Sequence, residues 1–419
     1  MNRVIFCLAT SILVFAHSVA VAQDRVAAPR GKELKRVVTV YLKADVDTRR
    51  TMRAEADKKY SPLKDGPELK SLRKEMLAIA KKTGPKLKGS GTMYFYDKKA
   101  KKQGKYIVRG RPQETLFIGL HGGGKGSGDA GNMAGAMGGG GWWWIFPEVL
   151  EKTEYGWTTS GTEEFVMDLI EAAKRTGKVD PDRIFITGHS MGGFGSWTLG
   201  AHHADVFAGA APYAGAPTPI WEGSKAVAIA PGVIPNLYNL RLHFFQSLDD
   251  KNVPAAANEQ ASKELKVWKK DYPEGFDYRY LRVNGRGHAA PKKGYMPTQK
   301  WVASKNRNAR PKKILWQPKL KWKRHFYWLY WDAPILDAII EASTNGKNEI
   351  EINTVEGYKE LKGITVLLGD PIADLSKEIE IKVDGVSKFN GKVERTFSTL
   401  LLTIPRNDPK LLFDARVDL

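Results

Sequence analysis

The chain predicts an α/β fold class, a doubly wound, mostly parallel sheet followed by a small C-terminal all-β domain. Three observations carry this. Short apolar, β-rich runs alternate with helical patterns between about residues 90 and 300, the order that builds a parallel sheet covered by helices. The sequence Gly188-His189-Ser190-Met191-Gly192 lies between the apolar run 184–186 and a small-residue segment, 192–197, and reads as strand, sharp turn and helix. Beyond residue 345 the pattern changes to period-two or β-rich runs at 349–352, 364–368 and 379–383, with Asp384-Gly385 as a hairpin turn.

The elements are expected in this order. Residues 1–22 read as a secretory signal: Arg3 supplies the positive start, 4–16 the apolar stretch, and Ala20-Val21-Ala22 a small-residue cleavage site before Gln23. That stretch is too short to span a bilayer, and the expected location is secreted or periplasmic. The single cysteine, Cys7, lies inside the signal, which excludes a disulfide framework or a thiol nucleophile in the mature chain. Residues 23–90 are an N-terminal helical extension rich in Lys, Glu, Leu and Ala. Residues 91–330 are the α/β catalytic domain, 331–344 a linker and 345–419 the β domain. Within 91–330, the runs 94–96 and 106–108 flank a Lys/Gly-rich turn and suggest a hairpin, 116–120 a buried strand, and 122–141 a glycine-rich loop. Ser160-Gly161-Thr162-Glu163 fits a capping box for a helix burying Phe165, Leu169, Ala172 and Ala173. Strands follow at 207–213, 242–245 and 278–283, with a helix at 256–270.

The formal net charge is +20. Residues 345–419 hold slightly more acid than base, so the excess lies in the rest of the chain. Such a surface attracts polyanions, although scattered lysines on helix faces give the same count. No nucleic-acid fold signature is present. The formal G-x-G-x-x-G at 126–131 lacks a βαβ unit around it. No H-E-x-x-H or similar ligand spacing points to a metal, and no cofactor is expected.

A serine at so sharp a turn is a candidate nucleophile, because the bend lifts its hydroxyl clear of the sheet. It needs a base. His288, in Asn284-Gly285-Arg286-Gly287-His288 just after the last predicted strand, is the best placed. The base needs an acid to hold its tautomer. Asp249 and Asp250 both follow the strand at 242–245, and Asp250 is preferred for its place before Val253-Pro254. The order Ser190, Asp250, His288 then emerges. The loop His121-Gly122-Gly123-Gly124 follows a predicted strand and can turn amides toward an oxyanion. The donors expected are the amides of Met191 and of Gly122 or Gly123. His202 and His203 fall on the following helix and read as packing or surface residues, and His189 as the variable position of the turn.

The segments 121–124, 188–193, 250–254 and 285–288 together resemble secreted α/β-hydrolase esterases, a group that includes polyhydroxybutyrate depolymerases, feruloyl esterases and the catalytic domains of prolyl-oligopeptidase-like hydrolases. The resemblance covers about residues 113–295. It implies an α/β-hydrolase fold and a serine acyl hydrolase with Ser190, Asp250 and His288 as its triad. It leaves the substrate open: an ester, polymeric or anionic in one version, or a peptide in another. The cysteines of some secreted depolymerases are missing, as is the propeller that restricts prolyl oligopeptidases to peptides. A non-enzymatic alternative is a polysaccharide- or surface-binding protein with a vestigial triad. Trp142, Trp143 and Trp144, with His121, are expected to line the substrate site, and Trp157 and Trp221 to extend that wall. Residues 299–325 interleave cations with rings and suggest either a polymer-binding stripe or a basic face over a wrapped core.

Overall fold

The computed structural model describes residues 25–94, 103–123, 128–153, 155–159, 161–356 and 361–419. The expected signal at 1–22, the turn of the first hairpin, Gly124 and Ser160 of the expected capping box lie outside them.

The N-terminal extension forms three helices, α1 (Gly31–Lys43), α2 (Val46–Lys59) and α3 (Pro67–Lys82). In α1 the buried residues Leu34, Val38 and Tyr41 recur every three to four positions, one apolar stripe of a helix. The Asp45 carboxylate caps α2 by accepting from the Thr48 amide.

The central sheet uses β1 (Gly91–Tyr94), β2 (Gln103–Arg109), β3 (Leu116–Leu120), β4 (Trp143–Pro147), β5 (Ile184–His189) and β6 (Gly209–Tyr213). A short hairpin, β7 (Pro219–Glu222) with β8 (Lys225–Ile229), then intervenes. The sheet is completed by β9 (Arg241–Ser247) and β10 (Tyr278–Val283). The strand order is β1-β2-β4-β3-β5-β6-β9-β10. β1 and β2 run antiparallel, and every pairing from β4 to β10 is parallel. The helices between strands are α4 (Ala130–Met137), α5 (Thr162–Thr176), α6 (Met191–His202), α7 (Ala256–Asp271) and α8 (Met296–Val302). Alternation along the strands sorts them to two faces. Leu116, Ile118, Ile184, Ile186, Leu242 and Phe244 share a core with α5, α6 and α7. Phe117, Trp144, Phe146, Phe185, Tyr213 and Phe245 pack with α4 and α8. Both faces are covered, the doubly wound arrangement that the sequence predicts.

Four local expectations are corrected. The glycine-rich stretch 122–141 is not all loop: Asp129 accepts from the Asn132 amide and starts α4. The residue preceding α5 is Gly161, in the left-handed region, and Glu163 does not reach back to a cap. It turns inward, accepting from His202 Nδ1 at 3.1 Å and His203 Nε2 at 3.2 Å. The presumed linker 331–344 holds the end of one strand and the whole of another. Ile339 and Ile340 are apolar enough to pair inside a sheet, and only the Pro-containing turn between the strands is irregular. The C-terminal region is also not purely β.

That region contains β11 (Lys313–Trp316), β12 (His325–Phe326), β13 (Leu329–Trp331), β14 (Ile339–Thr344), β15 (Glu349–Glu356), β16 (Ile364–Leu368), β17 (Ile379–Val383), β18 (Val386–Gly391), α9 (Phe397–Thr403) and β19 (Ala415–Asp418). Two sheets result, β11-β14-β15-β17-β18 and β12-β13-β16-β19, so strands from both sides of the expected linker pair with each other. Asp384 and Gly385 both have positive φ, 48° and 75°, as a two-residue hairpin turn demands. The side chains of α9 share a core with α1, α2 and α3.

The stripe at 299–325 is partly structural. Arg307 is buried between Asp182 at 2.7 Å and Asp408 at 2.5 Å. Lys323 pairs with buried Asp205 at 2.6 Å, Trp316 is core, and Trp301 lies under the Arg241 and Arg279 guanidinium groups. Arg307 and Lys323 are thus held by internal partners, while Lys300, Lys305, Lys312, Lys319 and Lys321 stay exposed.

Two outcomes are expected. Arg307→Met leaves buried Asp408 without its ion-pair partner and Asp182 with Lys410 alone, and denaturant titration should show a loss of about 3–5 kcal/mol. Glu163 is held down to about 2 from its ordinary 4.5 because buried histidines donate to its carboxylate, against the opposing effect of burial. A depressed carboxyl stabilises the fold above pH 4.5 and loses that contribution as pH falls toward 2. Urea midpoints measured at pH 6 and pH 3 should therefore fall less in Glu163→Gln than in the wild type.

Candidate active site

The site gathers at the C-terminal edge of the parallel strands, where a doubly wound sheet places its binding loops. Ser190 follows β5 and precedes the first turn of α6. Its backbone has φ 58° and ψ −122°, a conformation that costs roughly 1–3 kcal/mol for a residue with a Cβ. The neighbours make it possible. A Cβ on Gly188 would lie 2.4 Å from the Gly192 carbonyl oxygen, and one on Gly192 would lie 2.0 Å from the Leu120 carbonyl oxygen. Only glycine fits at either end of the turn. The Ser190 amide donates to the Tyr213 carbonyl at 2.9 Å, anchoring the bend to β6.

The three residues singled out for acyl transfer come together. Ser190 Oγ is 2.9 Å from His288 Nε2, and His288 Nδ1 is 2.8 Å from Asp250 Oδ2. The Asp250 side chain is fully buried, while the His288 ring is about one-quarter exposed, at 24%. The other Asp250 oxygen accepts from the Asn252 and Val253 amides, both at 2.9 Å. With one oxygen occupied by the main chain, the second is aimed at the imidazole.

Asp249 has a different place. Its Oδ1 accepts from the Ser247 hydroxyl at 2.5 Å and from the amides of Gly285, Arg286 and Gly287 at 3.0, 3.3 and 3.2 Å. The Ser247 hydrogen bond, with help from these amides, holds its pKa down to about 2. Asp249 thus gathers the loop that carries His288. Gly285 and Gly287 have φ of 77° and 51°, which lets successive amides turn toward one carboxylate.

The expected oxyanion groups border Ser190. A Cβ on Gly122 would lie 3.2 Å from Ser190 Cβ, so the 121–123 loop runs directly beside the hydroxyl. Gly123 has φ 78°. Met191 heads α6, and a first-turn amide has no acceptor within its own helix.

The expected substrate wall is corrected. Trp143 and Trp144 lie in β4, an interior strand, and are buried on opposite faces of the sheet. Trp144 stacks on Phe146, and Trp142 stacks on Phe117 with ring centroids 4.4 Å apart. Trp157 is also buried and donates to the His121 carbonyl at 3.1 Å. An aromatic run within a central strand has both faces to fill, so these rings serve the cores. His121 is buried as well. Its Nε2 accepts from the Val149 amide at 3.1 Å, which leaves the proton on Nδ1, 2.8 Å from the Gly122 carbonyl. Burial lowers its pKa and favours this neutral form. The ring braces the loop from behind. Trp221 is 48% exposed on the β7–β8 hairpin, beside exposed Ile220.

Sequence reasoning missed His189, Tyr295 and the loop-gathering part of Asp249. His189 Nε2 is 3.0 Å from the His288 carbonyl, and the Tyr295 hydroxyl is 3.3 Å from His189 Nδ1. Their only signal was proximity in sequence to the turn and to His288.

The chain is similar to known esterases. The profile of the Esterase family matches residues 95–291, a span that contains Ser190, Asp250 and His288. A 52-residue stretch is 40% identical to part of the poly(3-hydroxyalkanoate) depolymerase C of Paucimonas lemoignei, covering 12% of this chain and 13% of that protein. Among solved structures, the enterochelin esterase of Shigella flexneri is 14% identical, covering 53% of this chain and 59% of that one with a TM-score of 0.38. A ferulic acid esterase of Anaeromyces mucronatus is 14% identical, covering 51% and 89% with a TM-score of 0.36.

Gly192→Ala places a Cβ against the Leu120 carbonyl. It should cost about 1–3 kcal/mol in denaturant titration, whereas Gly135→Ala, whose Cβ meets nothing within 4 Å, should not destabilise the protein.

Proposed function

We propose that the protein cleaves carboxylic esters through an acyl-enzyme on Ser190, a reading supported by the match of residues 95–291 to the Esterase family. The observation that carries this reading is the unbroken pair of hydrogen bonds, Ser190 Oγ to His288 Nε2 at 2.9 Å and His288 Nδ1 to Asp250 Oδ2 at 2.8 Å. His288 accepts the Ser190 proton as Oγ attacks the ester carbonyl. Buried Asp250 stabilises the imidazolium and fixes its tautomer. The amides of Met191 and of Gly122 or Gly123 hold the oxyanion. The tetrahedral intermediate collapses, the C–O bond breaks, and the alcohol leaves with the proton returned by His288. Water, deprotonated by the same ring, then attacks the acyl-enzyme and releases the acid and free Ser190.

The substrate proposed is an ester within or attached to a polymer outside the cytoplasm. The signal-like residues 1–22 support export. The depolymerase named above is a relative over a short stretch only, and it favours polymer esters over peptides. Among the described residues, no helix is long and apolar enough to cross a membrane.

Ser190→Ala should abolish labelling by a fluorophosphonate and lower ester turnover at least about 10³-fold. Labelling that persists in this variant overturns Ser190 as the nucleophile. Asp250→Asn should lower kcat by about 10⁴-fold, and Asp249→Asn by far less. A panel of nitrophenyl esters and matched peptide amides tests the reaction class. Faster amide turnover would replace the esterase reading with a peptidase.

A further inference from the structure

The hydrogen bonds around Ser190 close into a ring that the acyl-transfer steps do not require. The Ser190 amide donates to the Tyr213 carbonyl at 2.9 Å. Tyr213, the last residue of β6, donates its hydroxyl to the Tyr295 carbonyl at 2.8 Å. The Tyr295 hydroxyl faces His189 Nδ1 at 3.3 Å, and His189 Nε2 faces the His288 carbonyl at 3.0 Å. The His288 ring returns to Ser190 Oγ at 2.9 Å. A carbonyl can only accept, so Nε2 carries the His189 proton and Nδ1 offers a lone pair to the Tyr295 hydroxyl. Burial, then the neighbouring His288 ring, push the His189 pKa down to about 4. The ring therefore stays neutral, with one donor and one acceptor, at neutral pH.

We propose that His189 and Tyr295 are positioning residues that set the distance between nucleophile and base by holding the main chain of His288. The proposal rests on reading Ser190 as the nucleophile and His288 as its base. Asp250 orients the imidazole but leaves the backbone of residue 288 free to shift. Asp249 gathers the amides of residues 285–287 from one side. His189 fastens the carbonyl of residue 288 from the other. His189 is itself the last residue of β5, adjacent to Ser190, so base and nucleophile are tied to one strand end. The His189 and His288 rings meet edge to face, with centroids 5.1 Å apart, and Tyr295 packs edge to face on both His189 and Tyr213. Five hydrogen bonds between different residues close the ring, and each of the five residues joins two of them through its own covalent frame.

The test uses the full chain and three single variants. His189→Phe removes both contacts of the imidazole. His189→Gln keeps a donor and an acceptor on one side chain. Tyr295→Phe removes a single hydroxyl and cannot plausibly prevent folding. Turnover is expressed per site titrated with fluorophosphonate, so that misfolded protein does not count. His189→Phe should lower kcat by about 10²-fold, the scale of a misplaced reacting group, with KM little changed. His189→Gln should recover most of that loss. Tyr295→Phe should lower kcat by a smaller factor, and adding it to His189→Phe should produce no further loss, because both act through one circuit. A second readout is independent of turnover: the His288 Nδ1 proton resonance should be sharp in the wild type and Tyr295-competent His189→Gln, and broadened in His189→Phe. Wild-type kcat and an unchanged resonance in His189→Phe overturn the proposal, as do losses in the double variant that simply multiply. Should the wild type neither hydrolyse esters nor label, the esterase reading fails, and the resonance still decides the ring.

Discussion

The site depends on one strained peptide conformation. Ser190 stands in a region of backbone space that its Cβ disfavours, and nothing in the residue itself keeps it there. Close packing does. The carbonyls of Leu120 and Gly192 approach positions 188 and 192 so tightly that no side chain is tolerated, and β6 receives the serine amide. Relaxing the turn would require parting β3, β5 and β6 at once, and these are interior strands with both faces buried. A rigid interior thus holds Ser190 in a posture that a flexible loop would abandon.

Around this turn the chain spends its charged residues in an unexpected way. The large excess of base suggests an outward-facing field, yet several of the cations in question are buried ties between regions. Arg307 joins Asp182, just ahead of β5, to Asp408 near the C-terminus. Lys323 and Arg406 both meet Asp205, just past α6. Buried ion pairs contribute little net stability compared with apolar packing, but they tolerate no loss of a partner. They tie the C-terminal region to the segments beside Ser190.

The central sheet was legible because parallel strands and their helices leave strong, short-range patterns, and because G-x-S-x-G at a strand end constrains its surroundings. Ser190, Asp250 and His288 could be named for the same reason: each follows a strand that points to one edge. The tryptophans of β4 misled because composition cannot distinguish an aromatic run facing a ligand from one filling two cores. Only the pairing of β4 between β2 and β3 decides that. The link between strands 313–316 and 339–344 was hidden because β12 and β13, which belong to the other sheet, intervene between these partners. The capping box failed on a similar ground. Glu163 had a local use at the helix start, and two histidines forty residues away offered a better one.

The shared core of α1, α2, α3 and α9 has a further consequence. Leu34, Leu72 and Met76 are packed with Phe397, Leu400 and Leu412, and Arg73 and Asp57 are tied to Asp414 and Arg416. Helices α1, α2 and α3 therefore meet α9 only after the residues between 82 and 397 have been made. Contacts of such long sequence separation slow folding, and an apolar stripe left waiting invites association with other chains. The bundle is a clasp between distant parts of the chain, and it can shut only when both have been made.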